Sequence, residues 1–225
     1  MNPPLPTPSP PPLAPPNIYI VGAQCTGKTT LVANLHAHFT TADPHNPKAP
    51  PVRVITDVAR TVLRAHNFTA RDVRIPARSL ALQRLVLQAQ AAAERDVVIG
   101  AGPGGWFISD RSGADPIAYA MQYIGAEGVR ALAESEQWGV LKRRMQEAVV
   151  VVCEVGPGVA GWLTDDGVRL MPEDLEEWVG FHRVFCEFLE GEGVRCEVLS
   201  AEVSGHEERV EFVLGRWRER WRERG

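Results

Sequence analysis

The stretch "NIYIVGAQCTGKTTLVANLHAHF", residues 17–39, constrains this chain more than any other. Within it, "GAQCTGKTT" (22–30) fits G-x-x-x-x-G-K-[ST], with an apolar run before it and helical spacing after it. The motif requires those flanks: a strand that delivers the chain to a tight turn, and a helix whose first N–H groups face that turn. Gly22 and Gly27 permit the bend. The loop Gly22, Ala23, Gln24, Cys25, Thr26, Gly27, Lys28, Thr29 and Thr30 then surrounds a phosphate, with Lys28 on the β- and γ-phosphates and the Thr29 hydroxyl on Mg²⁺. The sequence therefore predicts a site for ATP, or GTP, with Mg²⁺. Cys25 reads as a small side chain that fits the loop, the alternative being a reactive thiol at a helix N-terminus.

The rest of the chain alternates in the same way. "VRVITD" (52–57), "WFISD" (106–110), "AVVVVCEV" (148–155) and "VRCEVLS" (194–200) read as further strands, with helical segments between them. Five strands alternating with helices predict an α/β fold, a five-stranded parallel sheet with helices on both faces. Asp115 is expected to cap a helix that has Pro116 at its first position. The helix over 172–190 carries Leu175, Trp178, Val179, Phe185 and Phe188 or Leu189 on one face. Ser204 with Glu207 forms a capping box before a last helix, in which Val210, Val213, Leu214, Trp217 and Trp221 share a stripe.

Composition bounds the organisation. A chain of 225 residues, 44% of them hydrophobic, supports one domain, read here as residues 17–225. Residues 1–16 hold nine of the 18 prolines and read as a disordered, polyproline-rich tail, and 40–51 as a loop. With 24 Lys+Arg against 28 Asp+Glu the net charge is −4, so no nucleic acid is expected as a partner and any anion site is local. Cys25, Cys153, Cys186 and Cys196 have no zinc-like spacing, no run is long enough for a membrane helix, and no signal peptide is seen. A reduced, cytoplasmic protein is the expectation.

Chemistry concentrates at strand ends. A doubly wound sheet binds ligands beyond the carboxyl ends of its strands, so Asp110 is expected beside the phosphate loop as the second metal ligand after Thr29. Arg111 then faces a phosphate or the acceptor. Asp57, with Arg60 three residues on, is placed to contact an acceptor substrate, and the glycine-rich stretch 156–174 resembles a mobile lid with Arg169 as its clamp. Asp165 and Asp166 read as a solvated turn, and Arg143 and Arg144 as lid contacts or an exposed face. Two classes compete. "DRSG" (110–113) meets the Asp-x-x-Gly of a GTP-binding switch and "LSAE" (199–202) resembles a guanine-contacting loop, but the fourth strand ends in Glu154 rather than Asn-Lys-x-Asp. A small-molecule kinase accounts for more of the chain: Lys28, Asp57, Asp110 and Arg169 as catalytic residues, and Asp57, Arg60 and Arg111 on the substrate.

Together "IYIVGAQCTGKTTLV", "DVAR", "FISDRSGADPIAYA", "WLTDDGVRLMPED" and "FHRVFCEFLE" resemble the NadR-like P-loop domain family. That family is grouped with AAA-type domains, and this chain looks closest to its fungal branch. The resemblance spans Asn17 to Trp217. It implies a nucleoside- or nucleotide-kinase-like fold with a lid, since NadR enzymes transfer the ATP γ-phosphate to ribosylnicotinamide. The family also holds an insect protein of TRP-channel trafficking described as a GTP and phosphoinositide binder, so the resemblance spans both classes. By similarity Gly22, Gly27, Lys28 and Thr29 carry the phosphate loop, Asp110 is the acid after the third strand, and "DDGVR" is the lid segment. The family usually has Glu where this chain has Asp57, and no adenylyltransferase domain accompanies the match.

The last ten residues, "RWRERWRERG", hold five arginines and two glutamates. Cations at a helix C-terminus are favoured by its dipole, and Trp217 and Trp221, one turn apart, are expected to pack inward. The alternative is a peripheral contact of this basic helix with anionic lipid or a protein.

Overall fold

The computed structural model describes residues 14–41, 52–102, 104–164 and 170–224. Most of the proline-rich tail, nearly all of the 40–51 loop, and the lid segment with Asp165, Asp166 and Arg169 lie outside the described residues.

Strand β1 (Ile18–Val21) leads through the glycine loop into helix α1 (Lys28–Thr40). There follow β2 (Val52–Ile55), α2 (Val58–Ala65), a 3-10 turn (Ala70–Arg74) and the long α3 (Pro76–Ala101). Next come β3 (Trp106–Asp110), α4 (Ala114–Tyr123), α5 (Ala126–Ala133), α6 (Glu136–Glu147) and β4 (Val149–Cys153). A short α7 (Pro157–Ala160), α8 (Leu175–Gly191), β5 (Glu197–Leu199) and α9 (His206–Arg224) complete the chain.

The five strands form one parallel sheet in the order β2-β3-β1-β4-β5. Its three inner strands are buried along their whole length. Period-2 alternation then sorts their residues between two cores. Tyr19, Val21, Phe107, Val150 and Val152 face α3, α4, α6 and α8, while Ile18, Ile20, Ile108, Val149 and Val151 face α1 and α9. A one-residue slip of β1 would exchange those faces, so the register that sets Ile20 level with Asp110 is firmly specified. Asp110 is thereby fixed at the edge where the loop after Val21 begins.

Several expectations need correction. Strand β2 stops at Ile55 because Asp57 is already the N-cap of α2, its Oδ1 accepting from the Ala59 N–H at 3.1 Å. On α8 the buried residues are Trp178, Phe181, Phe185, Phe188 and Leu189, whereas Leu175 and Val179 are exposed. Leu175 lies one turn ahead of the point where the helix meets the core, and Val179 is rotated off the stripe. Helix α9 begins at His206, with the Arg209 N–H bonded to Gly205 O, so the Ser204–Glu207 box is not its start. Trp217 does pack inward, against Trp106 and Phe39, and its Nε1 donates to Pro16 O at 2.9 Å. Trp221 stays partly exposed.

Candidate functional site

The glycine loop owes its shape to three residues in left-handed backbone, Gly22, Cys25 and Gly27. Space adds a second constraint at the glycines. A Cβ on Gly22 would lie 2.9 Å from Cys153 O, and one on Gly27 would lie 2.8 Å from the Trp162 ring. Thr26 Oγ1 closes the loop by donating to Ala23 O at 3.0 Å, and α8 pins it from outside through Trp178 Nε1 to Gln24 O at 3.0 Å. Helix α1 has no acid in its first turn and no side-chain cap, which leaves its N-terminal N–H groups for a ligand.

Lys28 is buried, and its Nζ donates to Ala23 O and, at 3.3 Å, to Thr26 Oγ1. Burial, with the Arg111 charge adding to it, lowers its pKa to about 8. Thr29 Oγ1 donates to Asp110 Oδ2 at 2.6 Å. These two hard oxygens fit Mg²⁺, which keeps waters and phosphate oxygens as its other ligands and needs no all-protein cage.

Immediately after Asp110 the chain turns through Arg111 at φ 85°, with its N–H on Ile20 O. That conformation costs a non-glycine residue on the order of 1 kcal/mol or more. It swings the side chain inward, where Nε donates to Asp57 Oδ2 and Nη1 to Asp115 Oδ1, each at 3.1 Å. Burial opposes the charge on Arg111, but Asp57 and Asp115 outweigh it and the guanidinium stays protonated. Asp57 also feels burial most strongly, yet Arg111, Lys28 and Arg60 hold its carboxyl below the ordinary value. Arg60 lies 3.7 Å from the same carboxylate.

Asp115 is not the N-cap expected of it. Helix α4 starts at Ala114, and Asp115, inside the first turn, reaches back to the Ser112 N–H at 2.7 Å and hydroxyl at 2.9 Å. Gly113 is the N-cap of α4, and the Ser112 hydroxyl before it accepts from the Ala114 N–H at 3.1 Å. Asp115 is thus the second carboxylate on Arg111. Burial raises its pKa against the pull of Arg111 and Lys28.

Two cavities meet at these groups. The larger, about 300 Å³, is lined by the loop, Asp110, Trp162, His206 and Arg209. The smaller, about 80 Å³, is lined by Gln24, Gln83, Val86, Gln90, Tyr119 and Leu170, among others. Asp57 and Arg111 line both. In the smaller cavity Gln90 is locked, since Nε2 donates to Glu94 Oε1 at 3.0 Å and to Ser109 Oγ at 3.1 Å. Its Oε1, and that of Gln24, are buried without a partner among the described residues. Glu94 in turn accepts from Tyr19 and from Arg144, which places Arg144 in the core network rather than on a lid.

Sequence reasoning identified the loop, Asp57, Arg60, Asp110 and Arg111, and the structure gathers them here. It missed Arg209, Trp162, Gln83 and Gln90. Elsewhere, Glu154 accepts from the Ala201 N–H at 2.9 Å, so the fourth-strand acid holds the "LSAE" turn in place. On α9, Arg216, Arg218 and Arg220 each meet a glutamate.

The AAA domain family model matches residues 17–209. The chain belongs to this family. No curated protein matches the sequence of this AAA domain. A NadR protein crystallised with NR aligns at TM-score 0.60 and 19% identity over 90% of this chain and 51% of its own. A second NadR structure, with NAD and AMP-PNP, gives TM-score 0.59 at 15% identity, over 90% of this chain and 49% of its own. Deoxyadenosine kinase from M. mycoides with bound dATP aligns at 0.53 and 15% identity over 89% of this chain and 98% of its own. The AAA domain thus shares the fold of these P-loop kinases and spans about half the length of the NadR chains it aligns with. Among the described residues no helix is long and apolar enough to cross a membrane.

Proposed function

We propose that this domain is an ATP-dependent, Mg²⁺-requiring phosphotransferase acting on a hydroxyl of a small nucleoside-like acceptor. One observation carries the reading: Asp57 and Arg111 stand between a polar cavity on the phosphate loop and a second, more apolar cavity. A donor phosphoryl in the first and an acceptor in the second would meet at these two side chains. Of the NadR structures that share this fold, one was solved with NR and one with NAD and AMP-PNP, which supports ligands of these classes for the fold.

In this reading the loop N–H groups and Lys28 hold the β- and γ-phosphates. Thr29 and Asp110 hold Mg²⁺, which when bound neutralises phosphate charge. Asp57 accepts the hydrogen bond of the acceptor hydroxyl and orients its oxygen toward the γ-phosphorus. A bond forms from that oxygen to phosphorus, the bond from phosphorus to ADP breaks, and the hydroxyl proton passes to Asp57. Because Asp57 is a weak base, proton transfer comes late, and positioning with charge neutralisation provides most of the acceleration. Arg60 and Arg111 keep the Asp57 carboxylate oriented, and Arg169 is proposed to close over the phosphoryl. The unpartnered oxygens of Gln24 and Gln90 call for an acceptor that carries hydrogen-bond donors.

Calorimetry with ATP and GTP in Mg²⁺, followed by a phosphoryl-transfer screen against nucleosides including ribosylnicotinamide, tests this. The expected result is ATP binding and transfer to one acceptor, strongly reduced in Asp57→Asn. Selective GTP binding without transfer to any acceptor would instead support a regulatory nucleotide-binding protein.

A further inference from the structure

Arg209 sits on α9, far along the chain from the phosphate loop, yet it is part of the same site. It is buried, only 3% exposed, and lines the larger cavity together with His206 one turn earlier. Its Nη2 donates to Thr26 O at 2.8 Å and lies 3.4 Å from Cys153 Sγ, while Nη1 donates to Val203 O at 3.1 Å. Its guanidinium carbon is 5.3 Å from the centre of the Trp162 ring. That ring also lies against Gly27, so Trp162 is wedged between Arg209 and the loop.

What Arg209 lacks is an acid. Among the described residues no carboxylate forms an ion pair with it, and the sulfur beside it is a buried thiol whose pKa burial pushes up, leaving it neutral. Arg111, the other arginine lining the cavity, has two carboxylates. A buried cation without a counter-charge is costly unless an anion arrives to meet it. Here the anion-binding N–H groups of the loop and of α1 open onto the same cavity. The bond to Thr26 O also has a geometric effect: it ties that carbonyl to α9, fixing the peptide plane of Thr26 and Gly27 from which the loop presents its N–H groups.

We infer that Arg209 is a positioning residue of the polyphosphate site, which fixes the phosphate loop through Thr26 and supplies positive charge matched by the donor's phosphates. This rests on the larger cavity being the donor site. Trp162 is the spacer that holds guanidinium and loop at a set distance.

The test is titration of the full chain with ATP, ADP, AMP, adenosine and inorganic tripolyphosphate in Mg²⁺, comparing wild type with Arg209→Gln and Arg209→Lys. Arg209→Gln is expected to weaken ATP and tripolyphosphate about 10- to 100-fold, the range of a charged hydrogen bond, and AMP and adenosine much less. Arg209→Lys, which keeps the charge without the fork, should fall between. Equal losses for ATP and adenosine, or unchanged tripolyphosphate affinity, would overturn the assignment. If Arg209→Gln does not fold, amide exchange of the wild-type protein decides. Residues 205–213 should be protected by tripolyphosphate and not by adenosine, and no protection by tripolyphosphate overturns the assignment. Failure of wild type to bind either ATP or tripolyphosphate would instead overturn the donor-site reading, and this inference with it.

Discussion

Replacing Lys28 with methionine should stabilise the empty protein while abolishing nucleotide binding. Burial, with the Arg111 charge adding to it, brings the pKa of Lys28 from 10.5 to about 8. At 1.36 kcal/mol per pH unit, holding its charge in the folded state costs about 3 kcal/mol. Against this, Lys28→Met forfeits the close bond from the charged Nζ to Ala23 O, worth about 1.5 kcal/mol, and the long 3.3 Å bond to Thr26 Oγ1, worth about 1 kcal/mol. The net gain is about 0.5–1 kcal/mol, or about 1–4 °C in melting temperature for a chain of this size. The sign follows from linkage. The folded pKa is lowered, so the penalty on wild type is full below about pH 8, shrinks as pH rises from there toward 10.5, and is absent above. Thermal melts of both proteins without nucleotide, at pH 6.5 and 9.5, measure it: the variant should lead at the lower pH and lose its lead at the higher. Added ATP with Mg²⁺ should raise the wild-type melt alone. A variant that melts below wild type at pH 6.5, or a gap that ignores pH, would refute the electrostatic account of this lysine.

Asp57→Asn should reduce phosphoryl transfer about 10²- to 10⁴-fold with ATP affinity nearly unchanged, measured by steady-state kinetics and calorimetry. Its folded pKa is depressed, so the stability Asp57 contributes over Asn should be present above pH 3.8 and vanish as pH falls through the lower folded value, which acid melts will follow. Thr29→Ala and Asp110→Asn should each raise the Mg²⁺ concentration for half-maximal activity by at least about tenfold, the loss that even an outer-shell partner produces. Gln90→Leu should raise the acceptor KM about tenfold and leave ATP binding unchanged, and it should lower stability by about 1–3 kcal/mol because Glu94 and Ser109 lose a donor. Trp221→Ser, which spares the buried Trp217, should leave binding to phosphoinositide vesicles unaltered in a sedimentation assay, since Arg216, Arg218 and Arg220 are already met by glutamates.

The parts of the site that were legible in the sequence are those where one local segment states the whole requirement. The phosphate loop is such a segment, because strand, glycines, lysine and threonine are contiguous. Asp110 and Asp57 were legible for a related reason: Asp110 ends β3, Asp57 follows β2 by two residues as the N-cap of α2, and the parallel sheet carries both strand ends to the same edge. Arg209 had no such neighbour, being 183 residues from its partner Thr26. A signal was nevertheless there. Arg209 precedes Val213 by four residues and Trp217 by eight, so it falls on the buried stripe of its helix, where a charge demands an explanation. Gln83, Gln90 and Glu94 break the apolar face of α3 around Leu87 in the same way. Asp115 was misjudged because its sequence context fits a cap, and only the inward turn of Arg111 shows which carboxylates that side chain needs.

Charge is distributed unequally between the two sides of the site, and the inequality suits phosphoryl transfer. On the phosphate-loop side the hydrogen bonds of Lys28 and Arg209 go to carbonyl, hydroxyl and sulfur atoms, and neither forms an ion pair among the described residues, so both keep charge to offer an incoming polyphosphate. At the divide, Arg111 is already neutralised by Asp57 and Asp115, which makes it a rigid strut rather than a vacant anion site. Reversing the arrangement would be self-defeating. A carboxylate ion-paired to Lys28 would compete with an incoming phosphate, and an unpaired Arg111 would draw phosphates toward the smaller cavity, which in the proposed reading takes the acceptor. The strained backbone of Arg111 is consistent with this division, since it is what swings the guanidinium between the two acids.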